Sequence, residues 1–244
     1  MTDVVVTGGT GGIGRAVVER YAEADVVCSY HSDAARAEEL VDATDSPDAR
    51  TVALELDVTD TESVDRFAEE AVAVLDGVDA VVHTVGVVDP ALLADATDEQ
   101  FAGVVDTNLV GSARVARAFL PALRESAGSL VVLSSVGGTA GTVDTSYAAS
   151  KAGLHGFVRA LAREVGPDGV RVNALAPGPV DTSMNDDVVA YLESTDFRGH
   201  EGIDTHLPEY SCSPADVARS VAYLVDSEFT HGEVHSVNGG MHFR

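Results

Sequence analysis

The fold is decided near the amino end of the chain by the stretch Val4-Val5-Val6-Thr7-Gly8-Gly9-Thr10-Gly11-Gly12-Ile13-Gly14. Its first three residues are β-branched and apolar, which is typical of a strand that a parallel sheet buries on both faces. A glycine-rich turn follows, and the residues from Arg15 to Ala22 have a helical pattern. Strand, glycine turn and helix in this order predict a dinucleotide site, because glycines let the backbone approach a pyrophosphate at the helix amino terminus.

Composition limits the class of protein. The chain has 244 residues with no Pro/Gly/Ser-rich linker, which favours one α/β domain. The 40 acidic and 15 basic residues give a net charge of −25, which disfavours nucleic acid and anionic membranes as partners. Many acidic residues, small apolar residues and a single lysine indicate a halophilic protein. In about 1 M salt, charges are screened within about 3 Å, so the mutual repulsion of the acidic residues largely vanishes.

The cysteines and the amino terminus indicate the compartment. Cys28 and Cys212 are too few for a disulfide framework. We find no apolar signal region or membrane-length apolar run, so we expect a soluble, cytoplasmic protein. The Asp and His residues between positions 184 and 210 lack a ligand spacing, so we expect no metal.

The single lysine lies in the segment Ser146-Tyr147-Ala148-Ala149-Ser150-Lys151, at the start of a helix predicted from about Tyr147 to Glu164. Positions four apart share a helix face, so the phenol and the ammonium can meet one ligand. A chain that otherwise uses arginine and keeps this lysine indicates a need for an ammonium. The alternative is that this lysine has no function and remains by chance on a solvated helix face.

The glycine spacing Thr-Gly-x-x-x-Gly-x-Gly, the Tyr-x-x-x-Lys pair and a later Pro-Gly segment resemble the short-chain dehydrogenase/reductase family. The resemblance covers nearly the whole chain and is strongest to the 3-oxoacyl-(acyl-carrier-protein) reductase branch. It implies a doubly wound α/β Rossmann fold of about seven parallel strands in the order 3-2-1-4-5-6-7. It also implies one NAD(P)-binding domain over residues 1–244, a substrate loop at about 183–210, and a homo-oligomer, commonly a tetramer.

The resemblance assigns catalytic roles to four residues. Tyr147 is the proton donor, and Ser135, twelve residues earlier, orients the substrate oxygen in preference to Ser134. Lys151 binds the ribose hydroxyls and, together with the positive nicotinamide of the oxidised cofactor, lowers the pKa of Tyr147. Work near neutrality needs a lowering of about 3 units. Asn108 opens a helix kink and holds a water of a proton relay. The serines lack a nucleophile elbow, so we do not expect a hydrolase.

The resemblance also implies a cofactor site along the carboxyl ends of the strands. The residues expected to contact the cofactor are Gly8, Thr10, Gly11, Gly12, Ile13, Gly14, Ser29, Tyr30, His31, Ser32, Asp57, Val58, Gly86, Tyr147, Lys151, Pro177, Gly178, Val180 and Thr182. Asp57 matches the family's adenine contact, and a helix-capping or turn aspartate is its alternative.

The end of the second predicted strand bears on the choice between NADP and NAD. No acidic residue occurs at positions 29–32, where a carboxylate would repel a 2′-phosphate. Ser29, His31 and Ser32 offer neutral donors there, so NADP is preferred. NAD stays possible because Asp33 is close and no arginine or lysine occupies positions 29–32. His31 could equally be a solvated turn residue.

One segment departs from the family. The family usually has Asn-Asn-Ala-Gly after the fourth strand, whereas this chain has His83-Thr84-Val85-Gly86. Packing of a cofactor against Gly86 survives the change, but the asparagine hydrogen bonds between strands do not carry over. The segment from Met184 to Tyr210 is polar and acidic, and we expect it to be irregular.

These observations predict an NADPH-preferring reductase that converts a ketone to a secondary alcohol, with 3-oxoacyl thioesters as the first substrate class. A sugar or secondary-alcohol dehydrogenase of the same family is the nearest alternative. A non-catalytic redox sensor or scaffold that binds the nucleotide is an alternative of another class.

Overall fold

A computed structural model describes residues 2–142, 144–194 and 207–242. Within them the strands are β1 (Val4–Thr7), β2 (Val26–Tyr30), β3 (Thr51–Glu55), β4 (Ala80–His83), β5 (Ser129–Leu133), β6 (Arg171–Pro177) and β7 (Val234–Val237). They form one parallel sheet in the order β3-β2-β1-β4-β5-β6-β7. The fold and strand order expected from the sequence are confirmed.

The helices lie on both faces of this sheet. They are α1 (Gly12–Arg20), α2 (Ala34–Thr44), α3 (Thr61–Val74), α4 (Asp98–Val105), α5 (Gly111–Ser126), α6 (Gly137–Ala140), α7 (Thr145–Val165), α8 (Ser183–Ser194) and α9 (Pro214–Asp226). One apolar cluster joins the sheet to α3, α5 and α7, and a second joins it to α1, α2 and α9. Every residue of β1 is buried, as a strand covered on both faces requires.

A single helix was expected from Asp98 to about Glu125. The structure instead has a π-helical turn, Asp106–Val110, between α4 and α5. The fully buried Asn108 lies in this turn. Because a π turn inserts a residue into the helical ladder, it redirects the side chains around it and is frequent at functional sites. It stands where the family resemblance implies a kink.

The expectation of an irregular segment from Met184 is wrong for its first part, because α8 covers Ser183–Ser194. Met184 and Val188 lie four residues apart, as do Asn185 and Val189, and all four line a cavity. This helical spacing was obscured by the acidic residues between them. The rest of the expected substrate loop falls partly on 195–206, outside the described residues. No helix in the described part of the chain is long and apolar enough to cross a membrane.

Candidate active site

The carboxyl ends of the parallel strands meet at one edge of the sheet, where a cavity of about 710 Å³ opens. Ser135 follows β5 and Tyr147 lies in the first turns of α7, and both line this cavity. Besides Tyr147, five of the predicted cofactor residues line the same space, namely Ile13, Pro177, Gly178, Val180 and Thr182. The two groups expected to act on a substrate oxygen therefore border the space expected for the cofactor.

The two serines after β5 have different surroundings. The Ser135 hydroxyl accepts a hydrogen bond from the Gly137 N–H at 3.0 Å and interacts with the Tyr147 phenol. Ser134 is buried and donates to the Lys151 carbonyl at 3.1 Å, while His155 Nε2 lies 2.8 Å from its hydroxyl. Ser134 thus anchors α7 to β5, and Ser135 is the serine beside the phenol.

The acidity of Tyr147 differs from the expectation. Burial raises the pKa of its phenol, and the nearby Asp144 carboxylate raises it further, whereas the hydrogen bond with Ser135 lowers it. The shift is opposite to the lowering expected from Lys151 and an oxidised nicotinamide, and Lys151 is not among its causes. The phenol is therefore protonated around neutral pH, which is the form that a proton donor needs.

Asp144 is a site residue that the sequence reasoning missed. It is 4% exposed and lines the cavity. Its carboxylate caps α7 by accepting from the Tyr147 N–H at 3.0 Å and the Ser146 hydroxyl at 2.6 Å. It also accepts from the Asp89 N–H at 3.3 Å. An aspartate three residues before a helical position is a recognisable N-cap signal, and it fixes the start of the helix that carries Tyr147.

Lys151 lies behind the phenol, with its Nζ 5.6 Å from the Tyr147 ring centroid. It is 3% exposed and donates to the Leu133 carbonyl at 2.8 Å. Burial lowers the pKa of the ammonium to about 8, so it is charged at neutral pH. A Cβ on Gly86 would lie 3.1 Å from Lys151 Nζ, so a glycine at this position leaves room for the ammonium.

The Asn108 side chain joins the π turn to two other parts of the site. Its Oδ1 accepts from the Val87 N–H at 2.8 Å and its Nδ2 donates to the Val87 carbonyl at 2.9 Å. The same Nδ2 donates to the Ser150 hydroxyl at 3.1 Å. Asn108 therefore fixes the segment after β4 against α7, one residue before Lys151.

The glycine turn has the shape that a pyrophosphate requires. Gly8 has φ +77°, a left-handed conformation that favours glycine, and a Cβ on Gly14 would lie 2.0 Å from the Gly8 carbonyl oxygen. A Cβ on Gly12 would lie 2.6 Å from Thr182 Cγ2, so α1 closely approaches the segment after β6. Gly11 caps α1 without a side-chain hydrogen bond, which leaves its terminal N–H groups for an anion. The residues present therefore fit a dinucleotide.

The end of β2 requires a correction. Ser29 is 2% exposed, and its hydroxyl accepts from the Gly8 N–H at 2.8 Å, so it supports the glycine turn rather than facing a 2′-phosphate. His31 is exposed, and its Nε2 lies 3.9 Å from an Asp57 carboxylate oxygen. Two hydrogen bonds from Thr59, and to a lesser extent His31, lower the pKa of Asp57. The carboxylate thus also fits the turn role that the sequence left open.

The remaining predicted cofactor residues lie near these. Thr10 is half-buried in the glycine turn, Tyr30 is half-buried at the end of β2, Ser32 is exposed, and Val58 is buried behind Asp57.

The missing family asparagines have replacements. Thr84 donates from its hydroxyl to the Thr7 carbonyl at 2.7 Å, and its N–H donates to the same oxygen at 3.1 Å. His83 Nδ1 lies 2.7 Å from the Thr7 hydroxyl. The tie between β4 and β1 is therefore made by a threonine and a histidine. No group of three or more potential metal ligands occurs among the described residues.

Comparison with known proteins gives one family. The family model described as enoyl-(acyl carrier protein) reductase matches residues 8–242. The 3-oxoacyl-(acyl-carrier-protein) reductase of Escherichia coli is 33% identical over 243 residues, covering 98% of this chain and 96% of the relative. The acetoacetyl-CoA reductase of Synechocystis is 36% identical over 245 residues, covering 98% and 95%.

Two solved structures have the same architecture. A dehydrogenase/reductase from Sinorhizobium meliloti superposes with a TM-score of 0.87 at 29% identity, covering 99% of this chain and 95% of that one. A short chain dehydrogenase from Burkholderia cenocepacia in complex with NADP also gives 0.87, at 28% identity, covering 98% and 97%.

Proposed function

The chain belongs to the short-chain dehydrogenase/reductase family, and on that basis we propose that it reduces a 3-oxoacyl thioester to the 3-hydroxyacyl thioester with NADPH. The observation that carries the proposal is the pairing of the Ser135 hydroxyl with the protonated Tyr147 phenol at the wall of the cavity. The names of two relatives, a 3-oxoacyl-(acyl-carrier-protein) reductase and an acetoacetyl-CoA reductase, support this substrate class.

Reduction of a ketone leaves negative charge on its oxygen, and the hydroxyls of Tyr147 and Ser135 can stabilise that charge. A bound nicotinamide supplies the hydride. Tyr147 donates its proton to the developing alkoxide, and Ser135 donates a hydrogen bond that orients and stabilises the same oxygen. Because burial keeps the phenol protonated, the site is prepared for the reductive direction.

Lys151 and Asn108 support Tyr147, the proposed acid. The Lys151 ammonium, charged at neutral pH, stabilises the phenolate that remains once Tyr147 has donated its proton. It also provides compact donors for the hydroxyls of a ribose, which a planar guanidinium would not match. Asn108 holds the π turn against α7, and we assign it to the relay that returns a proton to Tyr147.

The cavity lining favours an acyl substrate over a sugar. Apolar residues predominate, among them Val88, Pro90, Met184, Val188, Val189 and Met241. A sugar needs several polar partners, whereas a short acyl chain needs an apolar wall. Asp144 is the one charged residue among the described lining, and α7 and the Asp89 N–H already occupy its carboxylate.

NADPH is the proposed cofactor because no carboxylate occurs at residues 29–32 and a related structure is a complex with NADP. His31 and Ser32 offer donors toward a 2′-phosphate, while Ser29 is withdrawn from that role. The Asp57 carboxylate beside His31 reduces the expected preference for NADPH over NADH, because a carboxylate there repels a 2′-phosphate.

The deciding experiment measures turnover of acetoacetyl-CoA in molar salt with NADPH and NADH side by side. We expect ketone reduction with a higher kcat/KM for NADPH. Crotonyl-CoA tests the carbon–carbon double-bond reduction named by the family model, and sugar and secondary alcohols test the dehydrogenase alternative. NADPH binding without turnover of any of these substrates would favour the sensor or scaffold. Light scattering in the same buffer would test the proposed tetramer.

A further inference from the structure

Below the candidate active site lies a buried histidine that the proposed mechanism does not use. His83 ends β4 and is 1% exposed. Its Nδ1 lies 2.7 Å from the Thr7 hydroxyl, but its Nε2 has no hydrogen-bond partner in the described part of the chain. A buried polar atom without a partner is costly and rare, so Nε2 calls for an acceptor or donor role.

The sheet register places this imidazole near Lys151. His83 is paired with Val132 on the neighbouring strand β5, and the Lys151 ammonium bonds to the carbonyl of the next residue, Leu133. Alternate residues of a strand face the same side, so His83 shares a face with Val81, which belongs to the cluster beneath α7. The imidazole and the ammonium therefore lie on the same side of the sheet, at the same end of adjacent strands.

The two groups are electrostatically linked. Burial lowers the pKa of His83 to about 3, and the Lys151 charge contributes to the lowering. The imidazole is therefore neutral and has one N–H and one bare nitrogen. A cation nearby favours the tautomer whose lone pair lies on Nε2, and Nδ1–H then donates to the Thr7 hydroxyl.

The Lys151 ammonium has N–H donors that make no hydrogen bond to the described residues. One N–H of Lys151 donates to Leu133, and the described residues offer no second hydrogen-bond acceptor to it. The other titratable groups near Lys151 are Tyr147, on the same helix at 5.6 Å, and Asp144, which acts on Tyr147. His155 lies four residues after Lys151 on α7, with its Nε2 2.8 Å from the Ser134 hydroxyl. A water between Nζ and Nε2 would satisfy both buried atoms at once.

We propose that His83 Nε2 accepts a water-mediated hydrogen bond from the Lys151 ammonium and thereby holds Lys151 in its charged form. His83 is then a positioning residue, since it acts on the substrate only through Lys151. The proposal deepens the proposed function and rests on it, because in that function the charged Lys151 stabilises the Tyr147 phenolate. Its test reads ionisation directly and does not depend on turnover.

The chain allows this ionisation to be measured at a single atom, because Lys151 is its only lysine. Protein made with lysine labelled by carbon-13 at Cε gives one NMR signal, whose shift follows protonation. In the wild type we expect a midpoint near pH 8. In His83→Asn, whose amide can replace Nδ1 but cannot reach the Nε2 position, we expect the midpoint to fall by about one pH unit, a tenfold change.

The matched variant is His83→Gln, whose amide reaches the position of Nε2. We expect its midpoint to stay close to that of the wild type. Equal midpoints in the wild type and His83→Asn would overturn the proposal, and so would an equal fall in both variants.

A second measurement uses the wild-type protein alone, so it stands even if a variant does not fold. Nitrogen-15 spectra of labelled histidine report the tautomer of each neutral ring. We expect the His83 ring to stay neutral through mildly acidic pH with its proton on Nδ1, and a proton on Nε2 of that ring would overturn the proposal. Failure to reduce any ketone would refute the proposed function while leaving both NMR results readable.

Discussion

Lys151 donates from Nζ to the backbone carbonyl of Leu133, 2.8 Å away, and so ties the second turn of α7 to the last residue of β5. The bond crosses the layer between helix and sheet directly behind Tyr147. It fixes the ammonium by a contact that no substrate or cofactor has to provide. The position of the charge is thus a property of the folded chain, and this is the basis of the first prediction.

Lys151→Arg should lower kcat/KM by at least about 100-fold and weaken NADPH binding, because a planar guanidinium cannot take the place of a compact ammonium in a buried site. Steady-state kinetics and cofactor titration in molar salt measure both effects. Arg159→Lys, on the exposed side of the same helix, is the matched control and should change neither. An active Lys151→Arg enzyme would show that the lone lysine is an accident of composition.

Tyr147→Phe should reduce kcat by about 10²–10⁴-fold, the usual contribution of a general acid. NADPH affinity should be nearly unchanged, since the ring is retained and the hydroxyl alone is lost. Fluorescence titration of the cofactor and single-turnover rates separate the two effects. A variant with substantial residual rate would remove Tyr147 from the acid role.

Ketone reduction should decline as the pH rises above about 8. The pKa of Lys151 is lowered to about 8 by burial, so its charge is present below that pH and lost above it. The raised pKa of Tyr147 keeps the phenol protonated over the same range, so the decline is assigned to the ammonium. The profile of kcat/KM against pH measures it. A rate that stays level well above pH 8 would contradict the role of the charge.

The protein should lose activity and structure in dilute buffer. A net charge of −25 repels itself over about 10 Å at 0.1 M salt and over about 3 Å at 1 M. Circular dichroism, thermal melting and activity should be recorded in potassium chloride from 0.1 M upward, with sucrose as a non-ionic control. Full activity at low salt with an unchanged melting temperature would refute the halophilic interpretation.

Much of the fold could be predicted because its signals are local. The run Val4-Val5-Val6 followed by glycines specifies a buried strand and a phosphate-binding turn over a few residues. The helix bearing Tyr147 and Lys151 was predicted nearly to its observed limits. The apolar positions of α8 were missed because acidic residues interrupt them, and only the cavity reveals which face they share.

The details of the site depend on long-range packing and could not be predicted in the same way. Ser29 turns inward to the glycine turn, a contact between separate strands that no spacing rule contains. The pKa of Tyr147 depends on how deeply the folded chain buries the ring, whereas the charges of Lys151 and an oxidised nicotinamide alone predict the opposite shift. The interaction between His83 and Thr7 requires the register of β4 beside β1.

The close approach of Gly12 to Thr182 bears on the order of assembly during synthesis. Gly12, at the start of α1, is synthesised early, whereas Thr182, which lies opposite it, follows β6 in the last third of the chain. The two sides meet only through contacts of high sequence separation, which form late in folding. A nascent chain that ends before β6 has the glycine turn but lacks the Thr182 segment opposite it. A gain of cofactor affinity during synthesis would therefore mark the addition of β6 and the segment after it.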